Sequence, residues 1–226
     1  MSRNMRTPAV VVNFKAYREV DGPGALELAR VCETVAEESG VCIAVCPPMV
    51  ELSFVACGVG IPVFSQNVDP YDQGSATGWV TPSMAAASGA IGTLINHSEH
   101  RSDDERISGC IDLCRGNELL SMVCAESVRK AADVALFSPD FIAIEPPELI
   151  GGDVSVTKAN PNIIEDAVRL VKDVDKNIAL FCGAGIKTGQ DVKKALELGA
   201  DGVLLASGVV RAKDPKAVLL DLIEPL

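Results

Sequence analysis

Three side chains of different chemistry stand where apolar runs end: Lys15 just past Ala9–Asn13, His97 after Thr93–Asn96, and Glu145 after Phe141–Ile144. Side chains alternate across a strand, so Val11, Asn13 and Lys15 continue one face, and Phe141, Ala143 and Glu145 do the same further on. Thr93, Ile95 and His97 share a face if the extended geometry persists. A lysine, a histidine and a carboxylate at strand C-terminal ends could converge on one pocket, the place where α/β barrels build active sites. Each alone reads as well as a solvated loop residue; three from different strands are harder to explain in that way. Glu145 is followed directly by Pro146 and Pro147. A carboxylate beside apolar neighbours costs free energy unless it is hydrogen-bonded or its pKa rises, and a raised pKa suits a general base. The two prolines stiffen the chain after it and leave Leu149–Gly152 to move as a flap. Two glycine-bearing turns, Cys182-Gly183-Ala184-Gly185 and Ala206-Ser207-Gly208, let backbone N–H groups approach an anion such as phosphate, although ordinary tight turns have the same composition.

Elements that position these groups alternate in type. Eight apolar, β-rich runs are expected as strands: Ala9–Asn13, Val41–Val45, Pro62–Asn67, Thr93–Asn96, Leu119–Cys124, Phe141–Ile144, Ile178–Phe181 and Gly202–Leu205. Amphipathic stretches lie between them at Pro23–Ser39, Asp103–Arg115, Asn160–Lys172, Gly189–Leu198 and Asp214–Leu222, several opened by Pro or Asp and closed by Gly40, Gly116 or Gly199. No two-residue hairpin turn joins the strands, so the rhythm is βα. No linker, low-complexity tract or charge block marks a second domain, and one domain over residues 1–226 is expected. Eight βα units fit a closed barrel or an open doubly wound sheet; the lack of a G-x-G-x-x-G turn after the first strand weakens a dinucleotide-binding fold.

Composition narrows the partners. The 226 residues carry 20 Lys and Arg against 31 Asp and Glu, a net charge of −11, with 48% apolar residues and a mean hydropathy of +0.25. That balance argues against nucleic acid and against an anionic membrane surface, while a small anion remains admissible if the site supplies its own positive field. No apolar stretch near the N-terminus is long enough for a signal peptide and none elsewhere approaches a membrane span, so a cytoplasmic protein is expected. The eight cysteines form no C-x-x-C pair; reduced thiols, with no metal centre, are the expectation.

Asn13-Phe14-Lys15, Gln66-Asn67, His97-Ser98-Glu99 and Glu145-Pro146-Pro147-Glu148-Leu149-Ile150-Gly151 occur in this order at strand ends. Together they resemble the triosephosphate isomerase family, in its short archaeal form, over most of the chain. The resemblance implies a (βα)8 TIM barrel that interconverts dihydroxyacetone phosphate and glyceraldehyde 3-phosphate without cofactor or metal. It implies Glu145 as the base acting on carbon, neutral His97 as the group polarising the carbonyl oxygens, and Lys15 as the cation offsetting the enediolate and phosphate charge. Asn13 would orient the substrate oxygens; Ile150 and Gly151 of the flap, with Gly185, Ala206 and Ser207, would hold the phosphate. Glu99 lies beside the site in the family, as a participant or as a buried structural carboxylate.

The flap departs from the family pattern at Gly152-Asp153, where Thr-Gly is usual, and an inward-facing Asp153 would repel a dianion. The family also implies a homo-oligomer, with the loop Asp69–Val80 buried in a partner subunit through Thr77 beside Trp79; the archaeal form implies a tetramer, and a dimer is the alternative. Two other functions fit the residues alone: a different sugar-phosphate isomerase or lyase on the same scaffold, or a silent relative that binds a phosphorylated ligand.

Overall fold

The computed structural model describes residues 5–146 and 162–226. Eight parallel strands run in the order β2-β1-β8-β7-β6-β5-β4-β3: β1 Ala9–Asn13, β2 Cys42–Cys46, β3 Phe64–Ser65, β4 Gly92–Ile95, β5 Leu120–Ala125, β6 Phe141–Ile144, β7 Ala179–Cys182 and β8 Gly202–Leu205. A parallel bridge between Val45 and Val63 joins the two ends of that order and makes the sheet a barrel. An open doubly wound sheet is thereby set aside.

Alternation along each strand builds two cores. Ala9 and Val11, Leu94, Met122 and Cys124, Phe141 and Ala143, and Phe181 point inward and fill the barrel. Their neighbours Val10, Val12, Ile95, Val123, Ile142 and Ile144 point outward and are covered by helices. Phe141 and Phe181 meet edge to face at 5.5 Å, a favoured geometry for two rings in a confined interior. Gly202 leaves the space the Phe181 ring occupies, since a Cβ there would stand 2.5 Å from the ring.

Helices at Pro23–Ser39, Asp104–Gly116, Gly189–Glu197 and Pro215–Ile223 occupy the expected stretches, and a helix is described from Asn162 to Val174. Capping matches the sequence signals: Asp103 accepts from Arg106 N at 2.9 Å and Asp214 from Ala217 N at 3.0 Å. Among the described residues, three further helices of six residues or more, at Leu52–Gly58, Pro82–Ala87 and Val128–Ala135, lie outside the expected stretches. Two of them carry start signals: Thr81 caps the second through Met84 N and Ser127 the third through Lys130 N. What all three lack is length for a visible 3.6-residue period. The strand expected at Pro62–Asn67 is only Phe64–Ser65. The eight cysteines are free thiols. Among the described residues no helix is long and apolar enough to cross a membrane.

Candidate active site

A cavity of about 590 Å³ opens at the C-terminal ends of the strands and brings Asn13, Lys15, His97 and Glu145 together with Gly185, Ala206 and Ser207. Ile150 and Gly151, with the flap Leu149–Gly152 and the Gly152-Asp153 departure, lie outside the described residues.

Asn13 and Glu145 arrive by simple alternation. Asn13 follows inward-facing Val11 and is 4% exposed, and Glu145 follows Ala143 and is 3% exposed. Lys15 does not arrive that way, because its φ of +51° breaks the extended run. Its backbone is fixed on both sides: its N–H donates to Asn13 Oδ1 at 2.9 Å, and its carbonyl accepts from Gln66 Nε2 at 2.9 Å. The ammonium then pairs with Glu99 Oε1 at 2.9 Å, with the Glu99 side chain 60% exposed. Glu99 is therefore no buried structural carboxylate; it is a solvated partner of Lys15.

His97 corrects the parity expectation. Leu94 is the inward residue of β4 and Ile95 lies on the helix side, so by alternation Thr93 also faces away from the barrel core. An extended chain would thus carry His97 outward. Asn96 instead adopts φ +59°, and the turn swings the imidazole into the cavity. There Nδ1 accepts the Glu99 backbone N–H at 3.2 Å, which leaves the ring proton on Nε2. Nε2 lies 3.5 Å from Glu145 Oε1.

Burial sets both protonation states. His97 is pushed down to about 4, by desolvation first and the Lys15 charge second, so the imidazole is neutral near pH 7. Glu145 is pushed up to about 7, by desolvation, against the opposing hydrogen bonds from Ser98 N–H and the Cys124 thiol. The Ser98 N–H reaches Glu145 Oε2 at 3.4 Å. A carboxylate that titrates near neutrality can both take and return a proton. Neutral imidazole and ammonium are donors aimed at the same cavity, fit to hold an oxyanion.

Sequence reasoning misses the part played by Gly183. A Cβ there would stand 2.6 Å from Glu145 Cγ, so this glycine gives the carboxylate its room. Gly183→Ala is expected to displace Glu145 and lower kcat by about tenfold or more while the protein stays folded; steady-state kinetics beside circular dichroism checks it. Gly185 takes φ +70°, a left-handed conformation that glycine adopts without steric cost. Tyr17 and Arg211 on the cavity wall carry no sequence signal; the guanidinium sits 5.8 Å above the Tyr17 ring.

Eight parallel strands with a buried carboxylate, an imidazole and an ammonium group in one C-terminal cavity define a (βα)8-barrel enzyme. The family model described as triosephosphate isomerase matches residues 8–225. The chain is similar to the triosephosphate isomerase of Methanopyrus kandleri, 50% identical over 224 residues, 98% of this chain and 99% of the relative. It is similar also to those of Methanothermus fervidus, 48% identical over 219 residues, 97% of this chain and 99% of the relative, and Methanobrevibacter smithii, 45% identical over 222 residues, 98% and 100%. The chain belongs to the triosephosphate isomerase family.

Proposed function

We propose that this cavity carries out the family's reaction, the interconversion of dihydroxyacetone phosphate and D-glyceraldehyde 3-phosphate, with Glu145, His97 and Lys15 as its catalytic residues. Glu145 takes the proton from the carbon next to the carbonyl, giving an enediolate, and returns it to the neighbouring carbon. His97 Nε2–H donates to the carbonyl oxygen and moves a proton between the two oxygens. A glutamate base beside a neutral histidine is the well-known pattern of this family, carried over to Glu145 and His97 by their place in its motifs. Lys15 offsets the developing negative charge, and Asn13 orients the substrate oxygens. Backbone N–H groups of Gly185, Ala206 and Ser207 hold the phosphate, with Ile150 and Gly151 completing its enclosure from the flap. Dipoles thus let a protein of net charge −11 bind a dianion.

One observation carries the reading: the imidazole, fixed as its Nε2–H tautomer by the Glu99 N–H, stands 3.5 Å from a buried carboxylate. A binding module has no use for that pairing. A coupled assay from glyceraldehyde 3-phosphate tests it, with turnover expected. Turnover of other sugar phosphates but not of triose phosphates would instead support a different isomerase on this scaffold, and none at all a silent binder.

The working form we propose is a homo-oligomer, a tetramer by likeness to the archaeal form of the family or else a dimer. The loop after β3 supports it. The Tyr71 and Trp79 rings meet at 5.0 Å, tilted by 41°, yet remain 38% and 43% exposed. A second cavity of about 420 Å³, lined by Gln66, Trp79, Glu99 and His100, adjoins Lys15 and offers room for Thr77 of another copy. We take the enzyme to act in the cytoplasm, in glycolysis and gluconeogenesis, as the family reaction suggests.

A further inference from the structure

We propose that Asn96 is the positioning residue that turns His97 into the cavity and fixes it against Glu145, an inference that rests on the proton-transfer reading above. The β4 ladder with β5 ends at Ile95 opposite Val123. Residue 97 would leave the barrel if the chain stayed extended, and the reversal is made at one residue, Asn96, with φ +59°. Few side chains tolerate that conformation; asparagine does so because its short amide can bond locally.

Here the amide is bonded at both ends. Asn96 is 2% exposed. Its Nδ2 donates to the Cys124 carbonyl at 2.8 Å, supplying a donor where the ladder has stopped. Its Oδ1 accepts the Ser102 N–H at 2.9 Å, closing the turn of residues 97–102 that carries His97. Its own carbonyl accepts from Arg101 Nη1 at 3.2 Å. The turn holding the imidazole is thus bolted to the end of β5. That strand in turn holds the base, because the Glu145 N–H donates to the Ala125 carbonyl at 2.7 Å. Asn96, Cys124 and Glu145 stand at the ends of three adjacent strands, so the separation of His97 from Glu145 is set through Asn96. Glycine would permit the φ but make neither side-chain bond. Aspartate would keep the acceptor and lose the donor.

The test compares the full-length wild type with Asn96→Gly and Asn96→Asp by triose-phosphate kinetics and by NMR of the imidazole signals. The chain has only two histidines, and His97 is buried while His100 is exposed, so the signals separate. In Asn96→Gly, kcat is expected to fall by about 10- to 100-fold with KM within about twofold, since the phosphate contacts lie elsewhere. The His97 signals are expected to shift or broaden while those of His100 stay. Asn96→Asp is expected to lose at least as much kcat, and it decides the matter by the same two readings if Asn96→Gly does not fold. A merely structural asparagine would lower stability and leave kcat and the His97 signals unchanged; kcat within about twofold of wild type, or reduced kcat with unaltered His97 signals, overturns the proposal. Absence of turnover in the wild type would instead overturn the functional reading on which it rests.

Discussion

Glu145→Gln is expected to lower kcat by about 10³- to 10⁴-fold, the upper part of the range for a positioned general base, while a planar anionic analogue of the enediolate still binds. The amide keeps the shape of the carboxylate and an acceptor for the Ser98 N–H, so the cavity is preserved and only the proton acceptor is lost. The same substitution is expected to stabilise the fold at alkaline pH. Burial raises Glu145 from 4.5 to about 7, so the native state holds this proton more tightly than the unfolded chain does. Its contribution to stability is fully present below about pH 4.5 and is lost as pH rises through about 7. Above that range the buried charge is a cost that glutamine removes, giving a gain of about 1–3 kcal/mol at pH 8 and little difference at pH 4, read from denaturant midpoints at each pH. Unchanged turnover in this variant would remove Glu145 from the mechanism.

The wild-type pH profile follows from the same residue. Log kcat/KM is expected to fall as pH drops below about 7, where Glu145 is protonated, and to steepen below about 6, where the substrate phosphate also takes up a proton. His97 is held at about 4 and stays neutral through this range.

Lys15→Met is the second large effect. Methionine keeps much of the stem and removes the ammonium, so the developing oxyanion loses its cation. A fall in kcat/KM of about 10²- to 10³-fold is expected, comparable with the loss of one oxyanion donor, with KM raised as well because the substrate is an anion before it reacts. Stability is expected to change little. The Lys15 backbone bonds to Asn13 and Gln66 do not involve its side chain, and the Glu99 carboxylate left without its partner is 60% exposed and finds water. Removing the Lys15 charge also relieves the second-largest force holding the His97 pKa down, so the imidazole is expected to titrate higher in the variant. Wild-type kcat/KM with Met at this position would take Lys15 out of the site.

These residues are legible to different degrees. Asn13 and Glu145 lie one alternation beyond inward-facing strand residues, so period two is enough to aim them. Lys15 and His97 are aimed by left-handed turns, Lys15 at its own φ and His97 at that of Asn96; lysine does not announce such a turn, and asparagine tolerates one without requiring it. Alternation alone sends His97 to the helix side of the barrel; the order of the motifs, not the parity, is what associates it with the cavity. The role of Gly183 is out of reach because it depends on Glu145 of the neighbouring strand, a contact that no local spacing encodes. The helices escape for a simpler reason: Pro82–Ala87 and Leu52–Gly58 are six and seven residues long, under two turns, too short for a periodic stripe.

Isomerisation of dihydroxyacetone phosphate in deuterium oxide, followed by proton NMR of the product, bears most directly on the claim that a side-chain base moves a carbon-bound proton through an enediolate. A proton resting on Glu145 can exchange with solvent before it is returned, so deuterium is expected at C2 of the glyceraldehyde 3-phosphate formed. Product that carries no solvent deuterium at that carbon, at undiminished turnover, would mean that hydrogen passes directly between the two carbons and would contradict the account.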